Sequence, residues 1–308
     1  MKVFLLGAAE DWICDRFVHE FQSSNIVNTV NDPRQADVIW IVAGWASNKL
    51  MHPAFGNLLL DKPVILTQHH IVPWKFNLNE FLKRDAFINA YHVPCEKTRI
   101  QVAEHTNKKI FTIPFWVNQN IWKDLGDRIS LRKKYGCNNN DYLIGSFQRD
   151  TEGSDLISPK LEKGPDIFCD IVEKIAQHKK NVCVVLGGWR RQYIMSRLDN
   201  ANIRYVYHEL PSQNSLNEMY NILDLYIVSA RQEGGPQAIV ECALTKTPII
   251  STDVGLASYI LAKESIYKSP DDCLSAIPNV EFAYKKVQQY SMPKGFNAFI
   301  DMLEEMNG

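Results

Sequence analysis

The feature that most constrains the fold is an alternation of short apolar segments with helix-like segments, which occurs twice along the chain. In the first half the apolar segments are four or five residues long and end at polar or turn residues; they are Val3–Leu6, Val38–Val42, Val64–Thr67, Phe87–Tyr91 and Ile110–Ile113. Continuous apolar strands separated by helices are typical of a parallel sheet covered on both faces. The sequence therefore predicts an α/β layer, whose first helix spans about 12–21.

The second half repeats the alternation more clearly. Its predicted strands are Tyr142–Phe147, Val182–Leu186, Ile203–Tyr207, Leu225–Val228 and Pro248–Ser251, and its predicted helices lie at about 166–177, 192–198, 215–223 and 237–245. The stretch between the two halves, about 118–132, is polar and irregular. We therefore expect two domains, 1–125 and 126–290, and a final segment, 291–308, whose amphipathic helix can pack back on the first domain.

Composition excludes several classes of protein. The 308 residues carry a formal net charge of -1, so no whole-protein field attracts nucleic acid or an anionic membrane. The longest apolar run is far shorter than a membrane span, although it leaves peripheral membrane contact open. The seven cysteines form no C-x-x-C pair, and several lie in apolar runs. Buried, reduced thiols of this kind are typical of a soluble cytoplasmic protein.

The segment Ser229–Ala243 is the most informative part of the sequence. It follows the predicted strand Leu225–Val228, and its glycines Gly234 and Gly235 indicate a turn. Pro236 is expected to be the first residue of the next helix, because a proline there loses no intrahelical hydrogen bond.

The helix that follows this turn is suited to bind an anion. The amides of Gln237 and Ala238 would point out of its N-terminus, where open donors and a partial positive charge favour a diphosphate. Glu233 lies before the turn and Glu241 about one turn into the helix. The two carboxylates are therefore expected to reach different parts of one extended ligand.

This segment resembles the E-x7-E signature of retaining GT-B glycosyltransferases, notably glycosyltransferase family 4. The spacing of Glu233 and Glu241 matches, and so does the strand within 247–255 that follows. The resemblance implies two Rossmann-like domains that face each other across a cleft. It also implies that Glu233 holds hydroxyls of the donor sugar and that Glu241 holds the ribose. The chain departs from the family at Pro236, where a glycine is common, and so loses one amide donor.

A second pair of residues supports the resemblance. Arg149 follows a predicted strand, and Lys163 opens the next helix fourteen residues later. The family places an arginine and a lysine here to hold the donor diphosphate, which gains negative charge as the glycosidic bond breaks. The chain contains no D-x-D pair for a metal ion. The resemblance therefore implies no metal, with Arg149 and Lys163 supplying the positive charge.

Other candidates are less specific. His69, with His70 beside it, matches a histidine that the family often places near the donor sugar, but a purely structural histidine is a serious alternative. Gly187 closes a predicted strand, where it would lie near the nucleotide, although a tight turn explains it equally well. Leu210 occupies the place where the main chain of the family reads the base.

The pair Arg190-Arg191 is expected to lie on a solvated face, with contact to a phosphate as the alternative. The segment Gly7–Ala9 stands where the family has a longer glycine-rich loop that meets donor and acceptor.

These features predict a retaining, metal-independent glycosyltransferase whose donor is a nucleotide-diphosphate sugar and which needs no other cofactor. Its acceptor would be a carbohydrate, a lipid-linked molecule or a protein, and nucleic acid is not expected as a partner. A nucleotide-sugar epimerase of the same fold and a non-catalytic carbohydrate- or nucleotide-binding module remain alternatives. A dinucleotide oxidoreductase is disfavoured, because no G-x-G-x-x-G follows a predicted strand.

Overall fold

The computed structural model describes residues 1–10 and 12–308. The chain divides into two compact units, which we call unit 1 (Met1–Trp116 together with Met292–Gly308) and unit 2 (Val117–Ser291). The chain thus passes between units at 116/117 and 291/292, where the sequence placed boundaries at 125/126 and 290/291.

Unit 1 contains a parallel sheet of six strands in the order β2-β1-β3-β4-β5-β6. Its strands are β1 Lys2–Leu6, β2 Asn28–Thr29, β3 Val38–Ile41, β4 Val64–Thr67, β5 Ala90–Val93 and β6 Lys109–Thr112. The helices between them are α1 Ile13–Ser23, α2 Leu58–Asp61, α3 Leu78–Asp85 and α4 Glu96–Ala103.

Unit 2 contains a second parallel sheet of six strands, which lie side by side in the order β12-β11-β10-β7-β8-β9. Its elements are α5 Arg128–Lys134, β7 Tyr142–Ser146, α6 Pro165–His178, β8 Val182–Gly187, α7 Gln192–Asn200, β9 Arg204–His208, α8 Gln213–Ile222, β10 Leu225–Val228, α9 Gln237–Thr245, β11 Ile249–Thr252, α10 Ala257–Ile260, β12 Ile266–Tyr267 and α11 Val280–Val287. A final helix, α12 Asn297–Asn307, belongs to unit 1.

Each strand order contains one point where the direction of winding reverses. In unit 2 the chain builds outward from β7 through β8 to β9, and then returns to place β10 on the other side of β7. In unit 1 the corresponding reversal lies between β1 and β3. Connections leave such a pair of strands on opposite faces, so a crevice opens at their carboxyl ends, where α/β proteins bind ligands.

The sheet of unit 1 is apolar on both faces, which explains why its strands read as continuous apolar runs. Along β3, Trp40 belongs to the core that contains α1 and α12, whereas Ile39 and Ile41 belong to the opposite core with α3. The C-terminal segment completes the first of these cores: Phe299 of α12 is fully buried and stacks on Trp40, with ring centroids 5.2 Å apart.

A neutral chain of hydrogen bonds crosses β3, β4 and β5 inside unit 1. The Trp40 indole donates to the Thr67 hydroxyl (2.9 Å), which lies 3.0 Å from Nδ1 of the fully buried His92. Nε2 of His92 lies 2.8 Å from the Ile113 carbonyl. Because a carbonyl only accepts, Nε2 carries the proton and Nδ1 accepts from Thr67. Burial, which disfavours the imidazolium, lowers the pKa of His92 to about 3.

One predicted strand was misplaced. The sequence placed it at Phe87–Tyr91, but β5 spans Ala90–Val93. Ile88 instead donates its amide to the Asp85 carbonyl in the turn that ends α3, and the Asn89 side chain accepts from the amide of Val64. The apolar residues before position 90 therefore pack under a helix end, which hydropathy alone does not distinguish from a strand.

Candidate functional site

The residues singled out in unit 2 come from the connections that leave β7 and β10, the two strands of the reversal point. Arg149 and Lys163 lie between β7 and α6, and Glu233 lies between β10 and α9. The fold therefore brings together, at one edge of one sheet, charged residues that are up to 84 positions apart in sequence.

Lys163 and Glu233 form an ion pair, in which Nζ of Lys163 contacts Oε1 of Glu233. Their side chains are 20% and 11% exposed, so both charges are largely withdrawn from solvent while an edge of each stays accessible. A paired cation and anion at such an edge can offer one group to a phosphate and the other to a hydroxyl.

Backbone hydrogen bonds hold the two connections in register. The amides of Arg231 and Gln232 donate to the Glu162 carbonyl (2.8 and 3.1 Å). The Ser229 hydroxyl and the Gln148 amide group donate to the Lys163 carbonyl (3.2 and 3.0 Å). The lysine is thus positioned through its own main chain and not only through its side chain.

Gly164 allows these connections to approach closely. Its φ is +61°, and a Cβ at this position would lie 1.9 Å from the Ser229 carbonyl oxygen. No other residue type fits there without moving the backbone. Pro165 follows as the first residue of α6, where it fixes the start of the helix immediately after Lys163.

The turn before α9 corrects the expected helix start. Pro236 was predicted to be the first helical residue, but its ψ of 110° makes it the residue before the helix, which begins at Gln237. The Pro236 carbonyl accepts from the Ile239 amide (3.0 Å). Gln237 and Ala238 therefore carry the first two amides of α9, as the anion-binding interpretation requires.

The glycines of this turn are packed against the connection after β11. A Cβ on Gly255 would lie 2.5 Å from the Gly234 carbonyl oxygen and 2.7 Å from Pro236. Gly234 is buried and Gly235 is partly exposed. The close contact with Gly255 fixes the direction of the turn, and with it the direction of the amides at the start of α9.

Glu241 lies one turn into α9 and is 5% exposed. Its Oε2 accepts a hydrogen bond from the Tyr220 hydroxyl (2.9 Å). Burial raises the pKa of Tyr220 well above its usual value, and the neighbouring Glu241 charge adds to the effect. Tyr220 is a residue that the sequence did not single out; no local motif distinguishes this tyrosine, which reaches Glu241 only through the packing of α8 on α9.

Arg149 lies in a cluster with Trp189 and Arg190. Its Nε donates to the Thr151 carbonyl (2.7 Å), and its guanidinium carbon is 5.5 Å from the centre of the Trp189 ring. The Arg190 guanidinium lies 5.3 Å from the same ring. Burial and then the charge of Arg190 lower the pKa of Arg149 from its usual value. This concentration of positive charge is suited to an anionic ligand.

The expectation that Arg190 and Arg191 lie on a solvated face is wrong. Arg191 is fully buried, and Arg190 is 7% exposed. The Arg191 guanidinium donates to the carbonyls of Ser146 (2.7 Å) and Gly187 (2.8 Å) and to the Asp150 carboxylate (3.3 Å). It therefore ties together the ends of β7 and β8. Sequence hydropathy assigns arginine to the surface, whereas in the fold the Asp150 carboxylate and the carbonyls of Ser146 and Gly187 together offset the cost of burial.

The two weaker candidates of unit 2 have different surroundings. Gly187 ends β8, its carbonyl is held by Arg191, and a Cβ there would lie 3.0 Å from Phe147. Leu210 follows β9 with a φ of +45° and is 66% exposed. A branched residue rarely adopts this left-handed conformation, which is common at functional loops.

In unit 1, His69 is held by contacts that a structural histidine would make. Its Nε2 lies 2.9 Å from the Val42 carbonyl and 3.4 Å from Sγ of Cys14, and its ring stacks on Phe115 at 5.6 Å. These contacts do not test the role of His69 near the donor sugar, which stays a prediction.

The side chain of Asp15 contacts the main chain of the segment Gly7–Ala9. The Asp15 carboxylate accepts from the amides of Ala9 (2.9 Å) and Glu10 (2.7 Å), and a Cβ on Gly7 would lie 2.3 Å from its Oδ1. These hydrogen bonds outweigh burial and lower the pKa of Asp15. The loop therefore holds a fixed carboxylate of its own.

Residues 1–10 and 12–308 contain neither a cluster of metal-ligating side chains nor a membrane-spanning helix. No group of three or more His, Cys, Asp or Glu side chains in this part of the chain is arranged to hold a metal ion. None of its helices is long and apolar enough to cross a bilayer.

Comparison with known proteins identifies the domain in unit 2. Residues 158–276 match the family described as Glycosyl transferases group 1. The chain therefore carries a glycosyltransferase domain, which confirms the prediction of an enzyme of this class. The matched region includes Lys163, Glu233 and Glu241.

Two curated relatives are also glycosyltransferases. The chain is 24% identical over 276 residues to the O-antigen chain mannosyltransferase RfbU of Salmonella typhimurium, an alignment that covers 83% of this chain and 75% of the relative. It is 23% identical over 166 residues to the alpha-galactosylglucosyldiacylglycerol synthase of Streptococcus pneumoniae. That second alignment covers half of this chain and only 40% of the relative.

Solved structures support the fold. Anabaena Alr3699/HepE, solved with UDP and glucose, matches 99% of both chains with a TM-score of 0.76 at 13% identity. Sucrose-phosphate synthase of Thermosynechococcus elongatus matches 95% of this chain and 77% of its own, with a TM-score of 0.67. With the two parallel sheets, these likenesses confirm the predicted two-domain α/β fold of the GT-B type.

Proposed function

We propose that the protein is a retaining glycosyltransferase that moves a sugar from a nucleotide-diphosphate donor to an acceptor hydroxyl without a metal ion. The observation that carries the proposal is the Lys163–Glu233 pair, held at the reversal point of unit 2 within the region that matches group 1 glycosyl transferases. Retention and membership of family 4 rest on the likeness of the Glu233–Glu241 segment to the E-x7-E signature. The seven buried cysteines, none in a disulfide, support a cytoplasmic location.

The donor diphosphate is held by cations and amides from separate segments. Arg149 and Lys163 supply the charge, and the first amides of α9, at Gln237 and Ala238, supply directed donors beyond the Gly234-Gly235 turn.

The two acidic residues and the loops at the ends of β8 and β9 take the rest of the donor. Glu233 binds hydroxyls of the sugar, and Glu241 binds the ribose. Gly187 and Leu210 present main-chain groups to the nucleotide. Lys163 also neutralises Glu233. This pairing keeps both side chains in place for the ligand.

The reaction breaks the bond between the anomeric carbon and the diphosphate oxygen. The leaving group gains negative charge, which Arg149 and Lys163 stabilise more strongly in the transition state than in the ground state. The acceptor hydroxyl attacks from the same face, and its proton passes to the departing phosphate oxygen. No separate general base is then required, and His69 is assigned to positioning the sugar.

The proposal is tested by donor binding and turnover. We would measure thermal stabilisation by UDP-, GDP- and ADP-sugars, beginning with UDP-glucose, and then release of the nucleoside diphosphate with and without a chelator. One donor should stabilise the protein, and Arg149→Ala, Lys163→Ala and Glu241→Ala should each abolish that shift. Glu233→Gln should retain binding and lose turnover by about a hundredfold or more.

The matched control is Lys174→Ala, which also breaks a lysine–carboxylate pair of unit 2, with Asp271, but on the exposed side of α6. It should leave donor binding unchanged. Donor binding without turnover in the wild type would favour a non-catalytic module, and isomerisation of the donor without an acceptor would favour an epimerase. The anomeric configuration of the product, read by NMR, decides retention. Loss of turnover on chelation would remove metal independence from the proposal.

A further inference from the structure

Unit 1 contains a cavity that none of the assigned donor residues lines. Its volume is about 370 Å³, within the range of small-molecule sites. It lies where the connections after β3 and β4 meet the N-terminal half of α3, and its wall includes Trp45, Ser47, Gln68, Asn77 and Arg84. These residues combine an aromatic face with hydroxyl, amide and guanidinium groups, which is the chemistry that binds sugars.

The aromatic and amide groups of the cavity wall are accessible to a ligand and are not buried in the core. Trp45 is 52% exposed, so much of its indole surface remains open to a ligand. The Gln68 side chain is fixed by its hydrogen bond to the His70 carbonyl (2.7 Å). The Asn77 side-chain oxygen caps α3 by accepting from the Glu80 amide (3.1 Å). An open aromatic face beside fixed amides suits a pyranose ring.

A buried hydroxyl on the cavity wall points independently to a ligand. Ser47 is 1% exposed, and within the described part of the chain its Oγ has no hydrogen-bond partner. Buried hydroxyls in native proteins are nearly always hydrogen-bonded, because leaving one unsatisfied costs about 1–3 kcal/mol. A polar ligand in the cavity would supply the missing partner.

The charges around the cavity favour an anion. Lys75 and Arg84 are its cations, and Glu80 is its carboxylate. Glu80 is already neutralised by Lys83 at 2.7 Å, and Lys83 does not line the cavity. Among the described residues no ion pair involves the Arg84 guanidinium, which is partly exposed. The Arg84 guanidinium therefore gives the cavity an uncompensated positive charge, in a planar fork suited to a carboxylate or phosphate.

We infer that this cavity is the acceptor site and that it selects a carbohydrate bearing an anionic group, a carboxylate or a phosphate. Trp45 stacks on the sugar ring, Ser47 and Gln68 bind hydroxyls, and Arg84 binds the anion. The role of this ligand as an acceptor rests on the proposed transferase function. The binding of an anionic sugar is a separate property of unit 1.

The test measures binding without donor or turnover, so that its failure is distinct from failure of the proposed function. Matched probes are p-nitrophenyl β-glucuronide against p-nitrophenyl β-glucoside, and glucose phosphate against glucose, with dissociation constants from ligand-observed NMR. The anionic member of at least one pair should bind about fivefold to tenfold more tightly at low ionic strength, and the preference should shrink at high ionic strength. The pair that shows the preference identifies carboxylate or phosphate as the anion.

Variants locate the preference. Arg84→Gln should abolish it, Glu80→Gln should increase it, and Trp45→Ala should weaken the neutral and anionic probes alike. Arg34→Gln is the matched control, because Arg34 is exposed, is paired with Asp32 and does not line the cavity. Thermal stabilisation by the nucleotide-sugar should be unchanged in all four variants. If neither anionic probe binds more tightly than its neutral partner, if the preference survives in Arg84→Gln, or if Trp45→Ala leaves the binding of both probes unchanged, the inference is wrong.

Discussion

In unit 2 the side chains that join neighbouring strands near the carboxyl ends of the sheet are ionised, whereas in unit 1 the chain of side chains that crosses three strands is neutral. In unit 2 the fully buried Arg191 joins β7 to β8, and Lys163 pairs with Glu233 beside β10. In unit 1 the chain from Trp40 through Thr67 to His92 joins three strands without a charge. Two sheets of the same architecture are thus joined across their strands by charged side chains in one unit and by neutral hydrogen bonds in the other.

This difference indicates that unit 2 is the unit whose charged side chains are already held in place for an anion. A buried guanidinium costs free energy of desolvation, which is recovered only if its partners are fixed. Arg191 has such partners in Asp150 and in two carbonyls. The neutral chain of unit 1 has no comparable desolvation cost, so its contribution to stability comes from packing. The predictions below break or sharpen this contrast, from the largest expected effect to the smallest.

Arg191→Met should destabilise unit 2 by about 3–5 kcal/mol, because it leaves the Asp150 carboxylate buried without its cation. Five of the seven tryptophans lie in unit 1, so fluorescence reports poorly on this region. The measurement is hydrogen exchange of peptides that span β7 and β8. Adding Asp150→Asn to the variant should recover a large part of the loss. A single variant as stable as the wild type would remove the contrast between the units.

Gly164→Ala should cost about 3 kcal/mol, because the added Cβ meets the Ser229 carbonyl and the residue keeps a left-handed backbone. The control is Gly153→Ala, also at positive φ, where the nearest atom to the new Cβ is 3.8 Å away. It should cost only about 1 kcal/mol, the price of the backbone conformation alone. Urea unfolding followed by circular dichroism measures both. Equal losses of stability in the two variants would show that a Cβ at position 164 does not strain the close approach of the connections after β7 and β10.

His92 should make unit 1 lose stability on acidification. Its folded pKa of about 3 lies below the usual value of 6.5, so the unfolded chain binds a proton first as the pH falls. The contribution is complete above pH 6.5 and decreases below it by up to about 1.4 kcal/mol per pH unit. Urea unfolding followed by tryptophan fluorescence should show this slope between pH 6.5 and 5. In His92→Gln the slope should be smaller; an unchanged slope would mean that other groups cause it.

Tyr220→Phe should cost about 1 kcal/mol, because it removes one buried hydrogen bond to Glu241 and keeps the ring packing. Tyr135→Phe, which loses a hydrogen bond to the partly exposed Glu218, is the comparison and should cost less. The same pair of variants separates stability from ligand binding. Only Tyr220→Phe should also weaken the binding of a nucleotide-sugar, since Tyr220 orients Glu241.

Much of the fold could be predicted from the sequence, because buried parallel strands leave a strong local signal. β4, β10 and α9 have the bounds that the sequence predicted, and most other strands differ by a residue. The strands β2 and β12, each of two residues, were missed because so short a segment has no detectable period. Helices α3 and α4 were missed because their apolar positions are few and the apolar segments around them dominated the interpretation.

The candidate site was predictable where it follows a local motif and not where it depends on tertiary contacts. Glu233 and Glu241 are marked by their spacing around two glycines. Arg191 was misassigned because its partners, Ser146 and Asp150, are more than forty positions away in sequence. The acceptor cavity had no signal in the sequence, since Trp45 and Arg84 come from different connections.

The return of the chain to unit 1 has a consequence for the order of folding during synthesis. Phe296 and Phe299 complete the core around Trp40 and Trp116, yet they are made after the whole of unit 2. A nascent chain that has reached Ser291 holds every residue of unit 2 but lacks one wall of unit 1. N-terminal regions generally fold first as they emerge. Here the core around Trp40 and Trp116 is completed only when residues 292–308 have been made, so the earlier-made unit is the later one to finish folding.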